Sequence, residues 1–574
     1  MYISEIKKIS NYRNLSGKTI KFNETMNFLI GENNIGKTNI LELLNSFLSV
    51  GKFAESDFTN VLEPIEIKLT IEYDADEVGF FEDNFDVDNS NAITIIAKQD
   101  SIDERINYYH DTPNKTKIST AVIKKMNILY YYAQRMPSKE VDFRKTNGSG
   151  KVLNYLIQHS LKKIGIREKD ILKTTKLTGI VKDINKQINS LNTITGDTVN
   201  AYLDTDADKI VCRMLGLGDE NGRELGSLGE GIQYAFNILL QIIEIIHTSK
   251  ITRKPEDFEE RLIDKDGRKL FPLFLVLDEP EVHQHPYRQR SLIKKLKAIM
   301  DNENQEFINL LKELFGIDGL IGQIFIATHS PNILLDNYKQ FIRIFHPLGS
   351  SLNEISIVSG GSITLDTTLY KHLLRSFLYL KEAMFSKCVL FVEGDTENGA
   401  IPVFANRMNL DYDEKGIGVV KLDGADSVEN CMKLYAEFGI KTIAMLDKDK
   451  KDKYSHIPDV FFTRGIDFEE DVYDNFVLID YMKYNNCIGK LGAFVRILRQ
   501  YGIALDIPTF CANPDSIVID TELQKQIMAD IKSTELDILR ETKNASKATL
   551  LADYVTVIPK SFQKVIKKLK DEVK

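Results

Sequence analysis

The sequence predicts an α/β protein with two domains, each built around a parallel β-sheet. Short apolar strands alternate with helical patterns along most of the 574 residues, which is typical of parallel sheets with right-handed crossover helices. A glycine-bounded loop joins a strand to a helix near the start, and a separate strand–helix series begins after about Phe385. At roughly 150 residues per domain, the length leaves room for more than one buried core.

The strands of the first domain follow from apolar runs that are too short for helices. Met26–Ile30 predicts a buried strand, and the helical pattern after the glycine-bounded loop covers Thr38–Leu48. Further strands are predicted at Ile65–Tyr73, Ala92–Ala97, Leu273–Leu277 and Gln323–Ala327. Residues 150–195 instead have apolar positions spaced by three and four, with Lys and Asp between them. This stretch is either an inserted helical hairpin used in dimerisation or an ordinary part of the core.

The second domain is predicted from a regular alternation of strands and helices. Its strands are Cys388–Val392, Ile417–Leu422 and Lys441–Leu446, and its helices are Glu397–Arg407 and Ser427–Phe438. Residues 560–574 form a basic amphipathic pattern, which we expect to be a solvated terminal helix.

Composition and charge exclude several classes of protein. Hydrophobic residues make up 43% and charged residues 27%, which excludes wholesale disorder. The net charge of −9 disfavours a protein that coats DNA by charge alone. Five cysteines, with neither a CxxC pair nor zinc-finger spacing, indicate reduced thiols. With no apolar run near the ~20 residues of a membrane span, we expect a cytoplasmic protein that does not contact membranes.

The glycine-bounded loop fits the phosphate-binding pattern G-x4-G-K-[ST]. Gly31, Asn34 and Gly36 lie in the loop whose backbone N–H groups close around phosphate oxygens. Lys37 is expected to reach the β- and γ-phosphates, and the Thr38 hydroxyl is expected to bind Mg²⁺. The helix that follows adds a favourable dipole at its N-terminus. This motif predicts an ATP site.

Three later segments complete the predicted ATP site. The strand Leu273–Leu277 runs into Asp278, the expected partner of Mg²⁺, and Glu279, which would position or deprotonate the attacking water. His329 follows another strand and is a candidate sensor of the γ-phosphate. In the SLGEG segment, Ser227 and Gly229 precede an apolar helix, where a second chain's nucleotide can approach the backbone.

These segments, in this order, resemble ATP-binding-cassette heads of the structural-maintenance (SMC) and RecF type. The NYRNL segment is similar to that group's N-terminal motif, which implies that Arg13 contacts a nucleotide phosphate. Two departures from the transporter pattern resemble the overcoming-lysogenization-defect (OLD) family: SLGEG stands in place of LSGGQ, and DEPEVHQHP has no transporter-type SALD. No long coiled-coil arms of the kind found in chromosome clamps are evident in the sequence.

Acidic residues follow two strands of the second domain. Glu393 comes after the first strand, and Asp447 and Asp449 come after the third. The carboxyl ends of parallel strands meet at one edge of the sheet, so these carboxylates are expected to converge. Crowded carboxylates repel one another unless cations neutralise them, which predicts a site for Mg²⁺ or Mn²⁺.

This arrangement is similar to the Toprim domain of topoisomerases, primases and OLD nucleases. The resemblance implies that Glu393, Glu397, Asp447 and Asp449 hold metal ions, with Asp467 and Glu469 as a looser match to a later acidic motif. It also implies a late catalytic lysine, for which Lys547 is the candidate. Two ions about 4 Å apart would then activate water and stabilise the leaving oxygen of a phosphodiester.

The combined prediction is an ATP-binding-cassette-type ATPase domain over residues 1–380 and a Toprim nuclease domain over residues 386–574. The resemblance implies a nucleotide-regulated, metal-dependent DNA endonuclease of the OLD family, in anti-phage defence or DNA processing, with a possible helicase-like partner of the Gabija type. We expect a homodimer or a higher even oligomer. Two alternatives stay open: an ATP-driven clamp or repair sensor of the RecF type, and an RNA- or tRNA-cleaving toxin.

Overall fold

The computed structural model describes most of the chain, in two compact units. The residues that it does not describe are 82–84, 87, 133–139, 144–147, 166–173, 196–197, 204–214, 253, 283, 348–353, 365–379, 423, 515–516 and 574. The N-terminal unit is Met1–Ile363 and the C-terminal unit is Thr364–Lys574. Among the described helices, none is both long enough and apolar enough to cross a membrane.

The N-terminal unit contains two main sheets. Its described strands are β1 (Tyr2–Ser10), β2 (Ile20–Lys21), β3 (Met26–Gly31), β4 (Ile65–Glu72), β5 (Ala92–Gln99), β6 (Asn107–His110), β7 (Lys117–Ile118), β8 (Asn127–Tyr131), β9 (Asn200–Leu203), β10 (Leu215–Gly218), β11 (Ile263–Lys265), β12 (Arg268–Asp278), β13 (Gly319–Ala327), β14 (Phe341–Phe345) and β15 (Ser356–Ser359). One sheet is antiparallel, in the order β2-β1-β4-β5-β6-β7. The two strands β9 and β10 pair separately.

The second sheet positions the phosphate-binding loop. Its order is β11-β12-β13-β3-β14-β15, and β8 also pairs with β12. The neighbours β12, β13 and β3 are parallel, with Asp278 opposite Ala327 and Ala327 opposite Leu29. Their carboxyl ends therefore lie together, and the segments Leu273–Leu277 and Gln323–Ala327 are strands, as the sequence predicted.

Helices flank these sheets. The N-terminal unit has α1 (Lys37–Leu48), α2 (Thr120–Ile123), α3 (Ser149–Ile164), α4 (Thr174–Thr195), α5 (Glu230–Ile251), α6 (Pro255–Glu259), α7 (Pro286–Met300) and α8 (Gln305–Phe315). The predicted helical stretch 150–195 thus forms α3 and α4, apart from the undescribed residues 166–173. Both helices pack against α5, which is buried on most of its surface, so the stretch contributes to the core. Its expected use in dimerisation stays a prediction.

The C-terminal unit is a four-stranded parallel sheet surrounded by helices. The strands are β16 (Cys388–Val392), β17 (Ile417–Lys421), β18 (Lys441–Leu446) and β19 (Val460–Phe462), in the order β17-β16-β18-β19. The helices are α9 (Asp395–Arg407), α10 (Tyr412–Lys415), α11 (Val428–Glu437), α12 (Lys451–Tyr454), α13 (Phe468–Tyr473), α14 (Leu478–Cys487), α15 (Leu491–Gln500), α16 (Ile507–Ala512), α17 (Thr521–Glu541), α18 (Ala545–Tyr554) and α19 (Lys560–Glu572).

The last helix differs from its expected role as a solvated element. The apolar face of α19 is buried, with Phe562, Val565 and Leu569 inside the core of the unit. Its basic residues lie on the other face, where Lys568 pairs with Asp459. The lysine-rich composition concealed a regular apolar stripe, which is what decides burial of an amphipathic helix.

The cysteines agree in part with their predicted state. The four described cysteines, Cys388, Cys431, Cys487 and Cys511, are free thiols. The fifth, Cys212, lies outside the described residues.

Candidate functional site

The phosphate-binding loop borders a cavity of about 550 Å³ in the N-terminal unit. The loop leaves β3 at Gly31 and enters α1 at Lys37, as predicted. The lining residues are Asn33, Asn34, Ile35, Gly36, Lys37, Thr38, Asn39, Asp278, Glu279 and His329. The cavity therefore brings together residues from the phosphate-binding loop, the end of β12 and the segment after β13.

Gly36 is required where the loop turns into the helix. Its φ of 111° is unfavourable for any residue with a Cβ, and an added Cβ would lie 2.8 Å from Asn14 Nδ2. Asn14 Nδ2 donates a hydrogen bond to the Ile35 carbonyl (2.9 Å), and Asn39 Nδ2 donates one to Asn14 Oδ1 (2.8 Å). This amide pair supports the loop from outside, and the sequence analysis did not identify either residue.

The side chain of Lys37 folds back onto the phosphate-binding loop. It is buried, and Nζ donates hydrogen bonds to the carbonyls of Gly31 (2.9 Å) and Glu32 (2.6 Å). Burial lowers the pKa of Lys37 to about 8, although the nearby carboxylates of Glu279 and Asp278 oppose this shift. An anionic ligand bound beside this amino group would raise its pKa again and favour the charged form.

Thr38 and Asp278 meet as expected for a pair that binds Mg²⁺ with a nucleotide. Thr38 Oγ1 donates to Asp278 Oδ1 at 3.4 Å. Burial and the charge of Glu279 raise the pKa of Asp278 to about 6. A hydroxyl and a carboxylate are oxygen donors of the kind that Mg²⁺ prefers, so these residues fit the ion.

Glu279 and His329 face each other across the edge of the sheet. Glu279 has a left-handed backbone (φ 46°) and its N–H donates to the Ala327 carbonyl at 2.9 Å. His329 Nε2 lies 3.6 Å from Glu279 Oε1, and burial followed by the charge of Lys37 lowers the pKa of His329. A neutral imidazole beside this carboxylate can help to orient it.

Glu281 is a member of the site that the sequence analysis did not single out. Its Oε1 accepts hydrogen bonds from Thr328 Oγ1 (2.6 Å) and from the His329 N–H (2.7 Å). It thereby fixes the segment that carries His329. The DEPE motif contained this residue, but only the fold shows that its carboxylate points at the neighbouring strand end.

Arg13 lies beside the loop and contacts acidic residues. Its guanidinium lies 2.5 Å from Glu42 Oε2 and 2.6 Å from Asp57 Oδ1, and it also donates to Asn39 Oδ1 at 2.6 Å. Its expected contact with a nucleotide phosphate would require part of this network to open, and it stays a prediction.

Ser227 and Gly229 do not line the cavity of their own chain. Both are exposed at the start of α5, where Gly229 is the N-cap. Ser227 Oγ donates to the Glu224 carbonyl at 2.7 Å. Exposure of this segment is compatible with the predicted approach of a second chain's nucleotide, and that role stays a prediction.

The acidic residues of the C-terminal unit meet at the carboxyl ends of β16 and β18. These strands are parallel neighbours, with Val392 opposite Met445. Glu393 and Asp447 follow them, and the Asp447 N–H donates to Glu393 Oε2 at 3.3 Å. The convergence of Glu393 and Asp447 at one edge of the sheet is therefore observed.

Asp447 is the most perturbed carboxylate of this site. Burial, reinforced by the charges of Glu397 and Glu393, raises the pKa of Asp447 to about 8. Its Oδ1 is buried and has no hydrogen-bond partner among the described residues. Glu397 is buried in the first turn of α9, its Oε2 accepts from the Gly394 N–H at 3.0 Å, and burial raises its pKa to about 7. The charge of Lys543 opposes the shift in the pKa of Asp447 but does not offset it.

Other acidic residues of the site are paired with cations. Asp449 is exposed and its Oδ2 lies 2.7 Å from Lys450 Nζ. Asp467 accepts two hydrogen bonds from Arg540 (2.8 and 3.1 Å). Burial alone would raise the pKa of Asp467, but the hydrogen bonds from Arg540 hold it below its usual range. Lys450 and Arg540 were not candidates in the sequence analysis.

Glu469 and the late lysines show a further difference. Glu469 is buried, its Oε2 lies 2.7 Å from Lys543 Nζ, and its Oε1 has no hydrogen-bond partner among the described residues. Lys547, the candidate from the sequence, is at the start of α18, where its N–H donates to Asn544 Oδ1. The late lysine that contacts Asp467 and Glu469 is thus Lys543, four residues earlier, and the catalytic role of Lys547 stays a prediction.

Gly399 brings α18 close to α9. A Cβ on Gly399 would lie 2.3 Å from the Ala545 carbonyl oxygen, so only glycine permits this backbone approach. The helix that begins beside Glu397 is therefore packed directly against the helix that carries Lys547.

The donor set fits a divalent cation, although the oxygens are not preassembled. Within the described residues, no three His, Cys, Asp or Glu side chains are grouped so that they could hold a metal ion. Asp447 Oδ1 is nevertheless a buried oxygen without a hydrogen-bond partner among the described residues. Burying such an oxygen costs free energy of folding unless a cation or a proton binds it. Glu393, Asp447 and Asp449 supply hard oxygen ligands of the kind that Mg²⁺ and Mn²⁺ take.

Comparisons with known proteins agree with both sites. A family model described as "AAA ATPase domain" matches residues 1–147 and 138–334. A second model, described as "Overcoming lysogenization defect protein-like, TOPRIM domain", matches residues 384–449. No curated protein sequence matches the chain.

Three solved structures illustrate the similarities. An SMC head bound to the C-winged helix domain of ScpA is 14% identical, with a TM-score of 0.38, and the match covers 64% of this chain and 99% of that chain. RecF, described as a recombination mediator protein, is 14% identical, with a TM-score of 0.30 and coverage of 60% and 96%. The C-terminal region of the Burkholderia pseudomallei OLD protein is 15% identical, with a TM-score of 0.20 and coverage of 33% and 100%.

The fold and the two sites define a P-loop ATPase domain followed by a C-terminal Toprim domain in an α/β protein. The chain belongs to the AAA ATPase domain family, whose model covers more than half of it, and its Toprim domain is OLD-like. The matches thus confirm the resemblance to the OLD family that the motifs indicated: an ATPase domain followed by an OLD-like Toprim domain.

Proposed function

We propose that this protein is a nucleotide-regulated, divalent-metal-dependent DNA endonuclease of the OLD type. The observation that carries the proposal is Asp447, a partly buried carboxyl group whose Oδ1 is buried and has no hydrogen-bond partner among the described residues, beside Glu393 at the carboxyl edge of a parallel sheet. A protein seldom keeps such a group unless function requires it, because a buried polar atom without a partner is destabilising. The OLD-like Toprim match covers this segment.

Each acidic residue has a distinct task in this proposal. Glu393, Asp447 and Asp449 would hold the metal ions, and Glu397 supports the turn at Gly394 through its hydrogen bond. When bound, divalent ions activate water and stabilise the leaving oxygen of a phosphodiester. Lys543 pairs with Glu469 and opposes the rise in its pKa that burial causes, and Lys547 or Lys543 would neutralise negative charge in the transition state.

The ATPase domain is proposed to regulate cleavage through ATP bound at Lys37 and Thr38. We propose that the exposed segment of Ser227 and Gly229 completes the nucleotide site of a second chain, which makes the active form a homodimer or a higher even oligomer. Glu279 would orient the attacking water if ATP is hydrolysed. A role in anti-phage defence beside a helicase-like protein is part of the proposal and rests on the family resemblance.

An ATP-driven DNA clamp or repair sensor is the second candidate function. It is favoured by one observation: several acidic residues of the Toprim unit are paired with Lys450, Arg540 and Lys543, so the metal ligands are not preassembled. A nuclease that cleaves RNA or tRNA would use the same carboxylates, so the substrate must be tested directly.

The test is cleavage of supercoiled plasmid, linear DNA and tRNA in Mg²⁺ or Mn²⁺, with and without ATP. We expect the wild type to cut DNA and Asp447→Ala to lose at least about a hundredfold in rate, because two-ion chemistry depends on ligand placement. Asp452→Ala is the matched control, since Asp452 is an exposed carboxylate of the same segment. ATP binding should persist in both variants.

Three outcomes would change the conclusion. Equal cleavage by wild type and Asp447→Ala would mean that the active site lies elsewhere. A wild type that cuts neither DNA nor tRNA but hydrolyses ATP on DNA would favour the clamp. Cleavage of tRNA alone would favour the RNA-cleaving alternative.

A further inference from the structure

Lys450 forms ion pairs with acidic residues that follow β16 and β18. Its Nζ is 2.7 Å from Asp449 Oδ2 and 3.9 Å from Glu393 Oε1. Asp449 belongs to the turn after β18 and Glu393 follows β16, so one ammonium group bridges carboxylates from two strands. These are two of the three residues that the proposed function assigns to metal binding.

The ion pairs of Lys450 with Asp449 and Glu393 can open readily. The side chain of Lys450 is 35% exposed and that of Asp449 is 51% exposed. Ion pairs with this exposure contribute little to stability, because water competes for both charges. A divalent ion carries twice the charge and binds carboxylate oxygens directly, so it can displace the ammonium group.

The other cations near the site differ from Lys450 in this respect. Arg540 holds Asp467 through two parallel hydrogen bonds, and Lys543 contacts Glu469, whose side chain is 1% exposed. Breaking a bidentate pair is costly, and so is leaving a buried carboxylate such as Glu469 without its cation, even though the Lys543 side chain is itself 42% exposed. The pair of Lys450 is therefore the one that a metal ion can open at low cost.

We propose that Lys450 is an exchangeable cation of the candidate metal centre. It neutralises Glu393 and Asp449 until a divalent ion binds them, and its released ammonium group then binds a phosphate of the nucleic acid. A lysine suits this exchange because its compact charge sits on a flexible stem and a phosphate oxygen is a strong acceptor. The inference rests on the proposed metal-dependent nuclease and adds the coupling of metal binding to substrate binding.

The first measurement is calorimetric titration of the full chain, freed of metal with EDTA and dialysed, with Mn²⁺. Lys450→Met should bind Mn²⁺ about three- to tenfold more tightly than the wild type, because a competing and repelling cation is gone. Lys450→Arg retains the charge and should bind Mn²⁺ like the wild type. Lys453→Met is the matched control, since it removes the same charge from a lysine that pairs with Asp426 rather than with Glu393 and Asp449.

The second measurement is binding of a DNA duplex, followed by fluorescence anisotropy in Ca²⁺ and in EDTA. Lys450→Met should weaken binding about three- to tenfold in Ca²⁺ and much less in EDTA, where the wild-type lysine is still engaged by the carboxylates. Tighter metal binding combined with weaker DNA binding is an outcome that general misfolding cannot produce.

The results separate this inference from the proposed function. If the wild type binds no Mn²⁺, the metal-dependent function and the exchange both fail. If the wild type binds Mn²⁺ and Lys450→Met binds it equally or more weakly, the exchange is wrong while the metal centre stands. If Lys450→Met binds Mn²⁺ more tightly but DNA normally in Ca²⁺, the released ammonium group does not contact phosphate and that step is overturned.

Discussion

Individual residues set the chemistry of the nucleotide cavity, and Lys37 is the clearest case. Its ammonium group is buried against the carbonyls of Gly31 and Glu32 with a pKa of about 8. An unpaired charge in that position is unfavourable, so the site gains free energy when phosphate oxygens arrive.

Lys37→Ala should abolish ATP binding, because the charge that holds the β- and γ-phosphates is removed. DNA cleavage should survive with an altered response to ATP, since the acidic residues belong to the other unit. Binding of a fluorescent ATP analogue measures the first effect and plasmid nicking the second. Normal ATP affinity in Lys37→Ala would contradict the assignment of the phosphate-binding loop.

Sequence analysis identified candidate phosphate-binding and acidic residues for the two sites, but it did not identify the side chains that contact them. A glycine-rich motif identified Lys37 and Thr38 directly, because the chemistry requires those residue types at that spacing. The amides of Asn14 and Asn39 and the cations Lys450 and Arg540 were missed. Their partners lie on other segments, and such contacts depend on the tertiary fold rather than on local spacing.

At the scale of elements, the contact between α3 and α5 contains a buried histidine. The His247 ring packs against that of Tyr155 with centroids 4.1 Å apart and a tilt of 46°, and neither of its ring nitrogens has a hydrogen-bond partner among the described residues. Burial, with a smaller effect of Lys151, lowers the pKa of His247 to about 4. The folded state therefore prefers the neutral ring, whereas the unfolded chain protonates near pH 6.5.

Stability of the N-terminal unit should consequently fall as the pH drops from about 6.5 to about 4. His247 contributes up to about 3 kcal/mol to this loss, because the unfolded chain binds the proton first. His247→Leu should flatten this part of the pH profile, measured by urea unfolding at several pH values. His285→Gln, at an exposed histidine, should leave the profile unchanged. An identical profile in wild type and His247→Leu would show that His247 does not titrate on unfolding.

The terminal helix α19 belongs to the core of the C-terminal unit. Phe562 is fully buried, with its ring 5.3 Å from that of Phe404 and 5.8 Å from that of Phe468. Phe562→Ala should destabilise this unit by about 3–5 kcal/mol through lost burial and the cavity left behind. Lys564→Ala, on the exposed face, should change the unfolding free energy by less than about 0.5 kcal/mol. Thermal or urea unfolding provides the measurement, and equal effects of the two substitutions would refute the buried role of α19.

The positions of the strands in the sequence were more predictable than the role of the helices. Apolar runs such as Met26–Ile30 and Cys388–Val392 have the bounds of observed strands to within one residue, because strands buried on both faces are continuously apolar. The helices α3, α4 and α19 were also found in sequence. Their packing was not decided there, since an amphipathic pattern shows that a face is apolar without showing what covers it.

At the scale of the whole molecule, the exposed segment of Ser227 and Gly229 predicts assembly. One chain has one phosphate-binding loop and one such segment, and its own cavity is not lined by the segment. Ser227→Arg should therefore prevent an ATP-dependent increase in molecular mass, measured by light scattering after gel filtration. Thr116→Arg adds the same charge at an exposed position in the turn after β6 and should assemble normally. A wild-type mass that stays monomeric with and without ATP would contradict the predicted assembly.

The acidic site draws on residues that are far apart in the chain, from Glu393 through Asp467 to Arg540, within a core that α19 completes. During synthesis on the ribosome, the first residues of the proposed metal site emerge long before the later helices that contact its acidic residues. Contacts of such long sequence separation form only when the later segments are available. The acidic site should therefore assemble only after Leu569 has left the ribosomal tunnel, and under the proposed function a nascent chain would not cut nucleic acid while it is being made.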